Sequence, residues 1–276
     1  MKTVVFLSKE LFTPEQLELI GPADFYGENF ESEEDVIEKS RGAEAILAAK
    51  SRSGDLRKKF FDSLPDLKFV SIYATGYDWI DLGAANEHGV TVSSCPGFST
   101  PAVSDWTISM IQELCEPKGK TLGVIGLGRI GRATAEKAKA IGMKVVAWDQ
   151  KEKTDFQVPL EELLKQSDVV SIHLSLGEGT EGFLSKEKIA LMKPEAFLVN
   201  SAREGLMDIN AVKTALESGK LAGAAVDLDI HSTTEYPNAI TTPHTAWRSD
   251  ESQKLGKEMF VGNLVAWRSG KPQHVL

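Results

Sequence analysis

Cysteine is nearly absent from this chain. Two thiols, Cys95 and Cys115, stand among 276 residues. They are too few for a disulfide framework and lack the close pairing of a structural metal site, so no metal is expected and a reducing, cytoplasmic setting is the default. Long apolar runs are also missing, and with them any candidate membrane span. The run Thr3-Val-Val-Phe-Leu7 is too short for a secretory leader and reads as a first strand. No cluster of lysine and arginine occurs, and the formal net charge is −9; nucleic acid and anionic membranes are therefore not expected as partners. Low-complexity linkers are absent. At 42% hydrophobic and 26% charged residues, the composition is that of a packed chain rather than a disordered one, long enough for two α/β domains or one large one.

What is present is alternation. Strand candidates at 4–7, 45–49, 69–73 and 90–92 are separated by helix candidates. Thr13-Pro-Glu-Gln16 opens one as a capping box with proline in its first turn. Ser32-Glu-Glu-Asp35 opens another with its acids at the favourable end of the dipole. Residues 56–64 read as a helix stopped by Pro65, and Asp81 caps a further helix ending near Gly89. The prolines at 96 and 101 break the pattern. A helix at 102–114 then leads a second series, with strands at 122–125, 144–148, 169–173, 197–200, 222–226 and 239–242 and helices at 129–141, 160–166, 186–192, 208–218 and 249–269. Strands alternating with helices predict an α/β fold with parallel sheets covered on both faces. The final helix has to pack somewhere, and one option is back on the first series.

The most specific signal is Thr121-Leu-Gly-Val-Ile-Gly126-Leu-Gly128-Arg129-Ile130-Gly131-Arg132, followed by Val145-Val-Ala-Trp-Asp149. It reads strand, glycine turn, helix, strand, acid, the layout of a dinucleotide site. Gly126 turns the chain out of the strand, Gly128 lets backbone approach a pyrophosphate, and Gly131 lets the helix lie close on the strand. The helix start at Arg129 and Ile130 points free N–H groups at phosphate. Asp149 can accept from both ribose hydroxyls, which favours NAD over NADP because a 2′-phosphate would meet a like charge.

In open parallel sheets, ligands bind outside the carboxyl ends of the strands. Polar residues there are Arg203, Asp227, His244, and Thr75, Gly76 and Tyr77. Together they can reduce a 2-oxo acid: a guanidinium holds the carboxylate, a histidine exchanges the proton, and the turn at Gly76 supplies backbone donors. His173 also ends a strand and reads as a hydrogen-bonded residue near the cofactor.

These residues resemble the D-isomer-specific 2-hydroxyacid dehydrogenases over nearly the whole chain. The matching segments are Ala74-Thr-Gly-Tyr-Asp-Trp-Ile-Asp81, Pro96-Gly-Phe-Ser-Thr-Pro-Ala-Val103, the glycine run with Asp149, Ser167-Asp-Val-Val-Ser-Ile-His173, Met192-Lys-Pro194, Asn200-Ser-Ala-Arg203, Ala224-Ala-Val-Asp227 and Thr242-Pro-His-Thr-Ala-Trp247. The wording at 74–76 and 243–247 is most similar to the hydroxypyruvate reductase (glycerate dehydrogenase) branch. The resemblance implies two Rossmann-like domains with a cleft between them: a flavodoxin-like substrate domain from 1–97 with 249–276, and an NAD-binding domain at 98–248. It implies a homodimer and NAD(H)-dependent interconversion of a small 2-oxo acid and its D-2-hydroxy acid. It places the substrate cation at Arg203, the acid/base at His244, the nicotinamide carboxamide near Asp227 and the substrate carboxylate at Thr75–Tyr77. The runner-up function is a non-catalytic NAD(H)-binding sensor or scaffold on the same fold.

Four departures from the family pattern matter. The family's glutamate beside the catalytic histidine is replaced by Ser232, so either Asp229 or Glu235 reaches in or His244 works with a lower pKa, and Glu235 is taken as a catalytic candidate. Glu204 stands where the family favours glycine, and Ser175 where it favours proline. The connection at 115–121 is shorter than usual, which predicts a reduced dimer contact.

Overall fold

In the computed structural model, which describes residues 1–30, 32–230 and 232–276, the chain forms two units: Met1–Ser99 with Asp250–Leu276, and Thr100–Ser249. The first begins β1 (Thr3–Val5), α1 (Pro14–Ile20), β2 (Asp24–Phe25), α2 (Glu33–Ser40), β3 (Ala45–Ala48), α3 (Lys50–Ser53), α4 (Lys58–Asp62), β4 (Phe69–Ile72), α5 (Leu82–Glu87) and β5 (Thr91–Ser93). Its sheet has the order β2-β1-β3-β4-β5 with every pair parallel, the flavodoxin-like winding. Local chemistry starts the helices as expected. Thr13 and Gln16 complete a reciprocal capping box, and Ser32 and Asp81 accept from the N–H groups of Asp35 and Ala84. The helix expected over 56–64 is shorter: Leu56 instead exchanges backbone bonds with Trp79 and Asp81, and helix runs only over Lys58–Asp62. Leu56 is fully buried, so tertiary pairing outweighs its helical preference.

The second unit holds α6 (Thr100–Leu114), β6 (Thr121–Ile125), α7 (Arg129–Ala140), β7 (Lys144–Trp148), α8 (Leu160–Gln166), β8 (Val169–Ile172), α9 (Lys186–Leu191), β9 (Ala196–Asn200), α10 (Ile209–Glu217), β10 (Leu221–Asp227) and β11 (Ala239–Thr242). The order is β11-β10-β9-β8-β6-β7, again parallel throughout. The chain leaves β6 for β7 on one side and returns to β8 on the other. That reversal opens a crevice at the carboxyl ends of β6 and β8.

The last helix, α11 (Asp250–Arg268), packs on α1, β3 and β4 of the first unit. Phe260, Val261 and Leu264 are buried there, Trp267 stacks on Phe69 at 4.9 Å, and Asn263 donates to the Ser94 carbonyl at 2.8 Å. Arg268 caps the end of α1 by donating to the Leu19 and Ile20 carbonyls, satisfying acceptors that a helix C-terminus leaves open.

Candidate active site

β6 delivers the chain to Gly126, whose φ is 96° and whose N–H donates to the Trp148 carbonyl at 2.8 Å. A Cβ at Gly126 would sit 2.9 Å from the His173 backbone, and one at Gly131 would sit 1.9 Å from the Gly126 carbonyl oxygen. Gly131 admits no side chain while α7 lies on its strand, and Gly126 admits none while the chain after β8 lies beside it. Gly128 is different, because nothing lies within 4 Å of its Cβ position. The N–H groups of Gly128, Arg129 and Ile130 donate to no protein acceptor among the described residues. An open face beside unpartnered N–H groups at a helix start suits a phosphate.

Asp149, just past β7, is tied to this turn. One oxygen accepts from Leu127 N at 2.6 Å, the other from Lys151 N and Glu152 N at 2.8 and 2.9 Å. Burial raises its pKa, but the backbone donors and Arg132 outweigh that and hold the carboxyl below its ordinary range. The fixed anion is where a ribose diol can donate. His173, past β8, has its N–H on the Ile125 carbonyl and its Nε2 2.9 Å from Ser171 Oγ. Desolvation pushes its pKa down to about 4, so the ring beside the crevice is neutral at physiological pH.

A second group of polar side chains collects at the carboxyl ends of β9, β10 and β11. Buried Asn200 folds the chain after β9: it donates to the Arg203 carbonyl at 2.7 Å and accepts from Ala202 N at 3.0 Å. Arg203 donates from one terminal nitrogen to the Ala202 carbonyl at 2.9 Å. Asp227 ends β10 and is 4% exposed. Its two oxygens accept from Thr242 Oγ1, Thr245 N and Ala246 N at 2.5, 2.8 and 3.0 Å. These bonds bracket His244, whose φ of 54° places it in the left-handed region. Asp227 thus holds the turn that presents the histidine.

His244 Nδ1 lies 3.0 Å from the Leu228 carbonyl oxygen. A carbonyl only accepts, so Nδ1 carries the hydrogen and Nε2 is left for proton exchange. Burial lowers the His244 pKa most; the Arg203 charge lowers it further, while Asp227, the Leu228 bond and Asp229 raise it. The net position is below the ordinary 6.5 of histidine. Arg203, Asp229 and His244 lie within electrostatic reach of one another.

Asp229 is the carboxylate of this group. Burial raises its pKa most, with Arg203 and His244 opposing and Glu204 reinforcing. Its Oδ1 is buried and has no hydrogen-bond partner among the described residues. Glu235 stands exposed farther along the loop, and it is not among the groups acting on His244. Of the two carboxylates that the sequence offered, Asp229 is the one whose charge acts on His244. Ser232 bonds Thr234 instead, its Oγ lying 3.1 Å from Thr234 Oγ1. Glu204, whose direction the sequence left open, turns inward and is 4% exposed.

In the first unit, Thr75, Gly76 and Tyr77 follow β4. Thr75 Oγ1 donates to the Cys95 carbonyl at 3.0 Å, and Trp79 Nε1 donates to the Gly76 carbonyl at 3.1 Å. The backbone N–H groups of all three have no protein acceptor among the described residues.

Comparison with known proteins adds relatives. Residues 103–246 match the family model described as "D-isomer specific 2-hydroxyacid dehydrogenase, NAD binding domain". A glycerate dehydrogenase of Methylorubrum extorquens is 32% identical over 316 residues, covering 100% of this chain and 99% of the relative. A hydroxypyruvate reductase of Blautia hydrogenotrophica is 32% identical over 287 residues, covering 88% of each. A solved acyclic imino acid reductase in complex with NADPH and D-Arg has a TM-score of 0.92 at 25% identity, covering both chains completely.

Proposed function

The chain belongs to the D-isomer specific 2-hydroxyacid dehydrogenase family, and from that premise we propose how its residues divide an NAD-dependent interconversion of 2-oxo and 2-hydroxy acids. Hydroxypyruvate and glyoxylate are the proposed substrates, from the activities named for its relatives. The observation that supports the assignment most is a histidine whose Nδ1 is committed to the Leu228 carbonyl, with the Arg203 charge in electrostatic reach.

NAD is the cofactor, and the open face at Gly128, the unpartnered N–H groups of Arg129 and Ile130 and the anion of Asp149 fit its pyrophosphate and ribose. When bound, it supplies the hydride that reduces the carbonyl carbon. Arg203 holds the substrate carboxylate and draws the carbonyl oxygen toward negative charge. His244 gives its Nε2 proton to that oxygen in reduction and takes it back in oxidation. Asp227 keeps the imidazole turn in place. The N–H groups of Thr75, Gly76 and Tyr77 are suited to a carboxylate. Asp229, rather than Glu235, takes the part of the supporting carboxylate.

A pH dependence follows. Reduction needs imidazolium and oxidation needs neutral imidazole. With the His244 pKa below 6.5, kcat/KM for reduction falls as pH rises, with its midpoint on the acid side of 6.5. The oxidative rate persists down to the same midpoint. Rate profiles in both directions check this, and a reductive limb centred well above pH 7 contradicts it.

The deciding experiment is oxidation of NADH, and of NADPH, with hydroxypyruvate, glyoxylate and pyruvate. NADH binding without turnover on any of them removes the enzymatic reading. A second substrate class is favoured by Asp229, whose buried unpartnered Oδ1 is an acceptor for the N–H of a 2-imino acid, the class named for one solved relative. Pyruvate supplied with ammonia or methylamine, giving the imine in solution, tests it.

For assembly we keep the homodimer with reduced contact. Supporting it is the tight connection after α6, where Lys120 N bonds the Pro117 carbonyl at 3.1 Å and Gly119 N bonds the Gly142 carbonyl at 3.0 Å. Light scattering across a dilution series should show dissociation; a dimer intact at nanomolar concentration contradicts the reduced contact.

A further inference from the structure

The buried carboxylate of Glu204 has no role in the reaction as described above. It follows Arg203 directly and begins a short 3-10 turn, Glu204–Leu206. Its Oε2 accepts from Asp229 N at 2.8 Å and its Oε1 from Tyr236 Oη at 3.1 Å. Both oxygens accept, the pattern of an ionised carboxylate. A charge this deeply buried is costly unless it is bonded and placed to act on something. The Asp229 N–H it binds is one end of the Leu228–Asp229 peptide group. The other end is the Leu228 carbonyl, which accepts from His244 Nδ1 at 3.0 Å. The atoms form one chain: Glu204 carboxylate, peptide N–H, peptide carbonyl, imidazole N–H.

We propose that Glu204 is a positioning residue for His244, acting through the Leu228–Asp229 peptide rather than by contact. A negative charge on the N–H of an amide shifts electron density onto its carbonyl oxygen, so bonds in such a chain strengthen one another. The Leu228 carbonyl becomes a better acceptor for imidazolium than for neutral imidazole, and it fixes the ring with Nε2 outward. Tyr236 holds the second Glu204 oxygen and keeps the carboxylate aimed at the peptide. Among the described residues, the charged groups that act on His244 are Arg203 from the end of β9, Asp227 from the end of β10 and Asp229 from the loop after it. Of these, Asp229 is the competing support, because it shares the loop with the peptide.

The inference rests on the acid/base role proposed for His244, but it has a readout independent of turnover. The full-length protein is titrated by NMR on the His244 ring, with His244→Asn assigning the signal. Glu204→Gln keeps both bonds available, since the amide oxygen can accept from Asp229 N and the amide NH₂ can donate to Tyr236 Oη, and it removes only the charge. It is expected to lower the His244 midpoint by about half to one pH unit, the size expected for a charge acting through one polarised amide. Tyr236→Phe, which leaves the charge but frees one oxygen, is expected to give a smaller shift in the same direction and guards against a folding defect in the first variant. The reductive limb of kcat/KM should move with the midpoint. An unchanged midpoint in folded Glu204→Gln, with a shift appearing only in Asp229→Asn, overturns the proposal. A shifted midpoint in a protein that reduces no oxo acid supports the relay and defeats the enzymatic reading, so the two failures are distinguishable.

Discussion

His244→Asn is expected to lower kcat for oxo-acid reduction by about 10²–10⁴-fold, the usual worth of a placed general acid, while NADH affinity changes less than about threefold. Asparagine is the informative replacement because residue 244 has a φ of 54°, a conformation asparagine adopts readily. It also leaves the bonds from Asp227 to Thr245 N and Ala246 N undisturbed, so the turn survives while the titrating ring is lost. Stopped-flow reduction and NADH fluorescence titration together separate chemistry from binding. A variant retaining more than a tenth of wild-type kcat ends the role of His244 as proton donor. Loss of NADH binding along with activity would point to a collapsed turn instead, and a melting curve distinguishes that outcome.

Arg203→Lys is expected to reduce kcat/KM by about 10²–10³-fold, the range for breaking one partner of a desolvated, hydrogen-bonded charge pair. Lysine keeps the charge but not the planar fork that a carboxylate accepts from. The loss should therefore fall mainly on KM for the oxo acid in lysine, and on both parameters in Arg203→Ala. A second signature separates substrate anchoring from simple structural damage. The Arg203 charge depresses the His244 pKa, so alanine, but not lysine, should move the reductive limb toward higher pH. If lysine retains kcat/KM within fivefold, with no change in KM, the guanidinium is not the substrate anchor.

The glycine turn proposed for the dinucleotide was legible because its physics is largely local. Gly126, Gly128 and Gly131 lie in one short turn; the positive φ of Gly126 and the close approach of Gly131 to the Gly126 carbonyl arise within it, and only the His173 backbone beside Gly126 comes from farther along the chain. The capping chemistry of α1, α2 and α5 is local in the same sense. Helix over 56–57 and the two-residue strand Asp24–Phe25 were misread or missed because their conformations depend on distant backbone partners, Trp79 and Val5 among them.

The proposed catalytic end was only partly legible. Arg203 and His244 stood out as polar groups after strands. Nothing in the spacing of Glu204, Leu228, Asp229, Tyr236 and His244 announced that they share one hydrogen-bond chain. Glu235 looked as good as Asp229 because distance along a loop does not reveal which carboxylate turns inward.

By itself, then, the order of residues determined the alternation of strands and helices, the glycine turn with its acid, and the kinds of side chain available for oxo-acid chemistry. Folding decided which carboxylate turns inward toward the imidazole's surroundings, which nitrogen of His244 bonds the Leu228 carbonyl, and that Asp227 braces the turn. The reason is physical: turns, caps and periodicity depend on neighbours within a few residues. A buried carboxylate's partners are chosen by which strand ends the parallel sheet sets side by side.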